Sequence, residues 1–436
     1  MNGMSRRAVM GAGVGMGLTL ATGMAAGKPA AASPSAAPPS TTAPRILAGD
    51  EAAWADIARL YDATDEVVQL ENGNWGAMAR PVLEAYTRHL GVVNRRTSFY
   101  SRREFLPDLI RARNRAAAQL GCQPEELAFT RGATESLLGL ISGYNRLRPG
   151  DGVLYADLDY DSMRQAMGWL KDRRGAVPIT LDLPLPASWQ GVIDAYDQAL
   201  AAHPSIRMML LTHVSHRTGL VLPVAEIVAL ARARGVDVIV DSAHAWGQLD
   251  FRLSDLGADF VGLTCQKWIG APMGLGLTYI RRDRLTDIDP VMGIIEGRPD
   301  DAMSRVHTGT SDIAALLTLP DALDCHDRIG TPAIEARLRY LRDRWAEPLR
   351  DYGAIEILTP ADPRMTCAIT SFRLKGRTSL ADNKALAKEL LDTHRIFTVD
   401  RAGLASGACV RVTPALFTGT RDIDSLVGAL RIIGRA

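Results

Sequence analysis

The chain has 436 residues, of which 47% are hydrophobic and 23% charged, and carries a formal net charge of +1. That length suits a large domain with a smaller one, and the neutral balance gives no reason to expect a polyanionic partner such as nucleic acid. The five cysteines, at 122, 265, 325, 367 and 409, lack CxxC spacing, which argues against a zinc site or a disulfide framework.

Residues 1–32 read as a leader. Ser5-Arg6-Arg7-Ala8-Val9-Met10 is a twin-arginine signature, followed by a weakly apolar, Gly-rich run to Ala26 and the small residues Ala30-Ala31-Ala32. The competing reading, a membrane anchor, needs a longer and less Gly/Ala-rich run. The expectation is a Tat signal peptide cleaved near Ala32, passage through the Tat translocon, and a periplasmic or exported protein. Ser, Pro, Ala and Thr make residues 33–50 a disordered linker.

Trp54, Ile57, Leu60 and Tyr61 share one face of a helix within 51–64, and Pro81 opens another that runs to about Val93. Between them Glu71-Asn72-Gly73-Asn74-Trp75-Gly76 is a turn-rich break. Arg95, Arg96, Arg102 and Arg103 read by default as a solvated face, with contact to an anionic substrate or a partner subunit as the alternative. A helix over 104–120 ends at Gly121. The short strand Leu127–Thr130 then leads through Gly132-Ala133-Thr134 into a helix. A glycine and hydroxyls at a helix start suit a phosphate, although Thr134 alone also serves as an N-cap.

Strands and helices alternate from there to residue 241, which predicts an α/β fold with a mostly parallel sheet. Three strand ends carry Asp157-Leu-Asp159-Tyr160, Thr212-His213-Val-Ser-His216, and Asp241 with His244. All should converge on one crevice at the carboxyl edge. The run ending at Asp241 and the run Asp259–Thr264, just before Lys267, read as strands buried on both faces. They present an acid and a lysine 26 positions apart (267 − 241). Separately these are a turn-capping Asp and a surface Lys. Together they match an aldehyde cofactor, pyridoxal 5′-phosphate (PLP): a lysine condenses with the aldehyde, and a carboxylate holds the pyridine nitrogen protonated. After a weakly periodic stretch (290–310), a helix over 331–350, strands near 354–357, 366–373 and 408–413, and helices over 380–393 and 421–434 form a smaller α+β domain. Arg411 lies on its last strand.

Asp241-Ser-Ala-His244 together with Lys267 followed by Gly270, Gly274 and Gly276 resembles the class V aminotransferase family, of PLP fold type I, from about residue 70 to the C-terminus. Within it the chain is similar to isopenicillin-N epimerase-like proteins, and Tat export is a feature of periplasmic PLP enzymes that tailor pyoverdine siderophores. The resemblance implies a large domain over 51–320 with a seven-stranded-type sheet, its 51–95 segment packing on a small domain over 321–436. It makes Lys267 the Schiff-base lysine, Asp241 the pyridine-nitrogen partner, and His244 the partner of the ring oxygen. Tyr160 would stack on the ring. Gly132, Ala133 and Thr134 would hold the phosphate, aided by Thr264 and Gln266. Thr310 would reach the phosphate from a neighbouring subunit, which implies a homodimer with shared sites. Arg411 would grip a substrate carboxylate, with Asn72 or Asn74 nearby.

The chain departs from the family at two places. His216 stands where Asn is common. Residues 396–406 lack the loop cysteine of cysteine desulfurases, so that activity is set aside. The expected activity is aminotransferase-type tailoring of an exported metabolite such as a siderophore, with epimerisation as the alternative. A non-catalytic binding protein is disfavoured by the intact Lys–Asp pair, and a nicotinamide oxidoreductase by the lack of an early GxGxxG.

Overall fold

In a computed structural model, residues 46–294 and 297–435 are described. The expected leader and most of the expected linker lie outside them. The strands in chain order are β1 (Val68–Gln69), β2 (Leu127–Thr130), β3 (Gly152–Ala156), β4 (Val177–Leu181), β5 (Ile206–Thr212), β6 (Asp237–Asp241), β7 (Phe260–Thr264), β8 (Gly276–Ile280), β9 (Ile355–Ile357), β10 (Thr370–Leu374), β11 (Ile396–Phe397), β12 (Val399–Arg401) and β13 (Cys409–Val412).

Seven of them form one sheet in the order β2-β8-β7-β6-β5-β3-β4. The pairs from β7 through β6, β5 and β3 to β4 are parallel, and β8 runs antiparallel to both β7 and β2. This is the mostly parallel α/β sheet that the sequence alternation predicts. Its central strands are apolar throughout because helices cover both faces. Along β5, Met208 and Leu210 enter the core under Leu137, Ile141 and Met167. Met209 and Leu211 enter the opposite core with Tyr196 and Ile227. The period of two places alternate side chains on opposite faces.

A second, antiparallel sheet has the order β12-β13-β10-β9. Trp345, Phe372, Leu390 and Leu430 form its core against helices Thr331–Ala346, Leu380–His394 and Thr420–Ile433. The chain's early segment packs here. β1 pairs in parallel with β11, and Glu51 accepts from the buried Arg337 at 2.5 Å. The described residues 46–435 fall in one compact unit by their contacts.

Two elements differ from the sequence expectation. A helix spans Ile313–Ile329 with Pro320 inside it. Its buried face is wide, from Ala314 to His326, and leaves only a narrow polar strip at Asp321, Asp324 and Asp327, while Pro320 interrupts the amphipathic period that sequence reading depends on. The helix opening at Arg80 does not stop near Val93 but runs to Arg103, bent at Thr97, where φ is 44°.

Candidate active site

The carboxyl ends of β5, β6 and β7 open into a cavity of about 980 Å³. Asp241, at the last position of β6, and Lys267, three residues past β7, both line it. Asp241 is buried and accepts from the Ala243 amide at 2.9 Å. Burial pushes its carboxyl above the ordinary carboxylate value, while the Lys267 charge opposes that shift. A buried acid in this state calls for a cationic N–H in the cavity.

Lys267 Nζ lies 2.9 Å from His244 Nε2, and Trp268 Nε1 points at His244 Nδ1 from 3.4 Å. Burial holds His244 well below the usual histidine range, and the cations Lys267 and Arg411 add to this. The ring is therefore neutral. The ring thus meets the lysine amine through Nε2 and the Trp268 indole through Nδ1, which fixes where the amine stands. Burial lowers the Lys267 amine to about 8, Asp241 opposes this, and Arg411 and Arg401 reinforce it. A neutral amine is the form that condenses with an aldehyde.

Gly132, Ala133 and Thr134 line the same cavity at the start of helix Ala133–Gly143. Thr264 anchors this turn by accepting from the Ala133 amide at 3.1 Å. Gly276 permits the approach: a Cβ there would come within 2.5 Å of Gly132 Cα. Gln266 also lines the cavity, but its Oε1 accepts from the amides of Gly274 and Leu275 at 2.8 and 3.2 Å, closing the loop behind the lysine. Across the cavity Tyr160, 40% exposed, meets the His216 ring edge-on at 5.1 Å.

Several predicted residues do other work. Asn72 does not line the cavity; its amide donates to Thr413 O at 2.8 Å and Gln69 O at 3.2 Å, stitching the early segment to β13. Asn74 does line it. Asp157, Asp159 and His213 do not join the crevice. Asp157 and Asp159 accept backbone amides of Leu183 and Thr212, while His213 contacts Ser242 and Phe251. The sequence pattern counted them because they sit at strand ends, yet their side chains turn toward backbone donors instead. Thr310 is exposed and lies outside its own chain's cavity, where Arg305 and Val306 contribute instead. None of Arg95, Arg96, Arg102 and Arg103 lines the cavity, and Arg96 pairs with Glu104.

Arg411 lines the cavity, but it has a partner that sequence reading did not find: Nη2 donates to both oxygens of Glu71 at 2.5 and 2.8 Å. Two further residues were missed. Arg401 lines the cavity from β12. Arg217 is fully buried and ties the site's loops together, donating to Asp157 O at 2.8 Å, Asp159 O at 2.7 Å and Ala402 O at 2.6 Å and pairing with Asp161. Arg217 follows directly on His216, but nothing in a lone sequence distinguishes a buried arginine from a surface one.

The donor set fits PLP: a lysine poised to be neutral, a buried acid one strand away, and a helix start anchored by Thr264. Among the described residues no cluster of His, Cys, Asp and Glu suits a metal ion, and no helix is long and apolar enough to cross a membrane.

Comparison with known proteins agrees. Isopenicillin N epimerase of Amycolatopsis lactamdurans is 30% identical over 402 residues, covering 88% of this chain and 99% of that protein. The apo cysteine desulfurase of Thermococcus onnurineus NA1 superposes with a TM-score of 0.75 at 20% identity, covering 87% of this chain and 98% of the other. A lysine-to-alanine mutant of C-DES, with glycine covalently linked to its PLP cofactor, also gives 0.75, at 23% identity and with 86% and 98% covered. Both share the fold. Residues 78–416 match the family described as Aminotransferase class-V, and the chain belongs to that family of PLP-dependent enzymes.

Proposed function

We propose that the protein acts at the α-carbon of an amino acid or amino-acyl group, with PLP held in the cavity, Lys267 as the general base and an aminotransferase outcome. Bound there, PLP supplies an electron sink for the α-carbon's electron pair. The chain's own residues do the rest. Asp241 stabilises a protonated ring nitrogen, His244 orients the Lys267 amine, the helix start at Ala133 takes the phosphate, and Lys267 accepts the α-proton and redelivers it.

What supports the aminotransferase outcome is the Lys267 amine lining the cavity, 2.9 Å from His244 Nε2, with His216 set edge-on against Tyr160 across from it. Epimerisation needs a second acid to protonate the opposite face. Burial first, and then Arg217, Arg411 and Arg401, hold His216 well below the usual histidine range, so it is not a charged proton donor. One lysine serving both proton sites suffices for transamination. Likeness to isopenicillin N epimerase over nearly its whole length supports epimerisation as the second reading, with Tyr160 as the other acid. Desulfurase chemistry lacks its nucleophile: Cys409 is buried on β13, and burial pushes its thiol up to about 11.

The twin-arginine leader supports action on an exported metabolite, siderophore-type peptides included. The exposed Thr310 supports a homodimer in which each chain completes the other's site. The test is the visible absorption of the purified, PLP-loaded protein. The expected band responds to added amino acids and is lost in Lys267→Ala, and keto acid accumulates without racemisation. Solvent-proton exchange at the α-carbon with racemisation and no keto acid would assign the epimerase outcome. A band unaffected by Lys267→Ala would refute the PLP reading.

A further inference from the structure

Asp159 is 1% exposed, does not line the cavity and takes no part in the proposed chemistry. Its surroundings nevertheless give it a task. β3 and β5 pair only as far as Leu154 and Met209, although β3 continues to Ala156 and β5 to Thr212. Past that point each strand still bonds to its other neighbour. The Asp157 amide donates to Leu181 O of β4, and the His213 amide to Asp241 O of β6. Successive amides of a strand point to opposite edges. Those of Ala156 and Thr212 therefore point into the gap between β3 and β5. One carboxylate closes this gap: Asp159 Oδ2 accepts from the Ala156 amide at 2.7 Å, and Oδ1 from the Thr212 amide at 3.0 Å.

The next residue is Tyr160, and both of its neighbours are held. On one side stand the Asp159 carboxylate and the Asp159 carbonyl, which accepts from Arg217 Nη1 at 2.7 Å; on the other, Asp161 pairs with Arg217 Nη2. The Tyr160 side chain lines the cavity and meets His216 edge-on, and its hydroxyl has no hydrogen-bond partner among the described residues. The place of the ring is thus set mainly by its backbone. Thr212 carries the connection onward, since it also lines the cavity and stands opposite Asp241 in the β5–β6 register. Tyr160 and Asp241 are therefore joined through one carboxylate and one ladder pair. A carboxylate suits the gap because it accepts on both oxygens. An amide of the same shape accepts on one and turns a donor toward the other N–H.

We propose that Asp159 and Asp161 are positioning residues that act through Tyr160, holding its ring at the place relative to Asp241 on which stacking against the cofactor ring depends. The inference rests on the PLP reading and deepens it, by assigning a task to a buried acid that touches neither cofactor nor substrate. Without the Asp159 bonds, two inward amides lose their acceptor and the ends of β3 and β5 are free to part.

The test is the PLP affinity of the apo-protein by equilibrium dialysis, arranged as a double-mutant cycle. Tyr160→Ala should weaken binding by about 2- to 12-fold, the worth of an aromatic stack, and Tyr160→Phe, which keeps the ring, should lose less. Asp159→Asn should also weaken binding by about 2- to 12-fold. In the Tyr160→Ala background the same change should weaken it no further. Urea unfolding gives the contrast, because a general loss of stability from Asp159→Asn is the same with or without the Tyr160 ring. The Asp161 side chain is 59% exposed, so Asp161→Ala leaves the core intact, and its own cycle with Tyr160→Ala decides the matter if Asp159→Asn does not fold. Effects that multiply in a double variant, an unchanged affinity in Asp159→Asn or Asp161→Ala, or a loss in Tyr160→Phe as large as in Tyr160→Ala overturns this inference alone. Wild-type protein that binds no PLP overturns the PLP reading and this inference with it.

Discussion

The lysine amine sets a pH dependence that can be worked from the structure. Burial lowers Lys267 from its ordinary 10.5 to about 8. At pH 7 about 9% of molecules then carry the neutral amine, against about 0.03% for an unperturbed lysine. The structure thus enriches the reactive form roughly 300-fold. The assay is PLP capture by the apo-protein, followed by growth of the visible band in rapid mixing. The rate should rise with pH and level off above about 8. Because the Asp241 charge raises the lysine, Asp241→Asn should move the inflection to lower pH. A rate still climbing in proportion to hydroxide beyond pH 10, or an inflection moved upward by Asp241→Asn, would refute the reasoning. Stability carries the same sign. The folded value lies below the unfolded one, so between about 8 and 10.5 the unfolded chain binds more protons and stability rises with pH. Lys267→Met should remove that slope and stabilise the apo-protein at pH 7 by up to about 3 kcal/mol, measured by urea denaturation.

Other residues give separate outcomes. Arg217→Met leaves the carbonyls of Asp157, Asp159 and Ala402 without their donor and should cost about 3–5 kcal/mol in denaturant unfolding; a loss under 1 kcal/mol would contradict its role as the tie between the loops. Thr264→Val removes the acceptor of the Ala133 amide, and should weaken PLP affinity in equilibrium dialysis with about 1 kcal/mol of lost stability. Gly76→Ala places a Cβ 2.0 Å from Lys267 O, so it should displace the lysine and slow PLP capture even where the melting temperature changes little.

The cofactor site was largely readable along the chain because its parts are local. A buried strand ends at Asp241, another ends just before Lys267, and a glycine and hydroxyls open the helix at Ala133. Each is a feature of strand ends and helix starts, and the parallel sheet brings such ends to one edge whatever the loops do. The mostly parallel sheet followed for the same reason, since its apolar runs alternate with helical periods.

Long-range pairing decided the remainder. Glu71 and Arg411 are 340 positions apart, and their ion pair exists because β1 joins β11 and brings the early segment against β13. Arg401 gains its place only through the register of β12 on β13, a three-residue strand too short to leave a pattern. The helix at 313–329 is buried on most sides, so its polar face narrows to a strip at Asp321, Asp324 and Asp327, and Pro320 inside it breaks the pattern a sequence reading looks for. Which of three polar strand ends face the cavity depends on where backbone donors stand in space, and those turned Asp157 and Asp159 inward while leaving Asp241 and Tyr160 at the cavity. Local propensity and burial period thus place the cofactor chemistry on the strand ends. Which carboxylates pair with the cavity's arginines is decided only in the folded chain, because electrostatic partners are chosen by distance in space and not by distance along the chain.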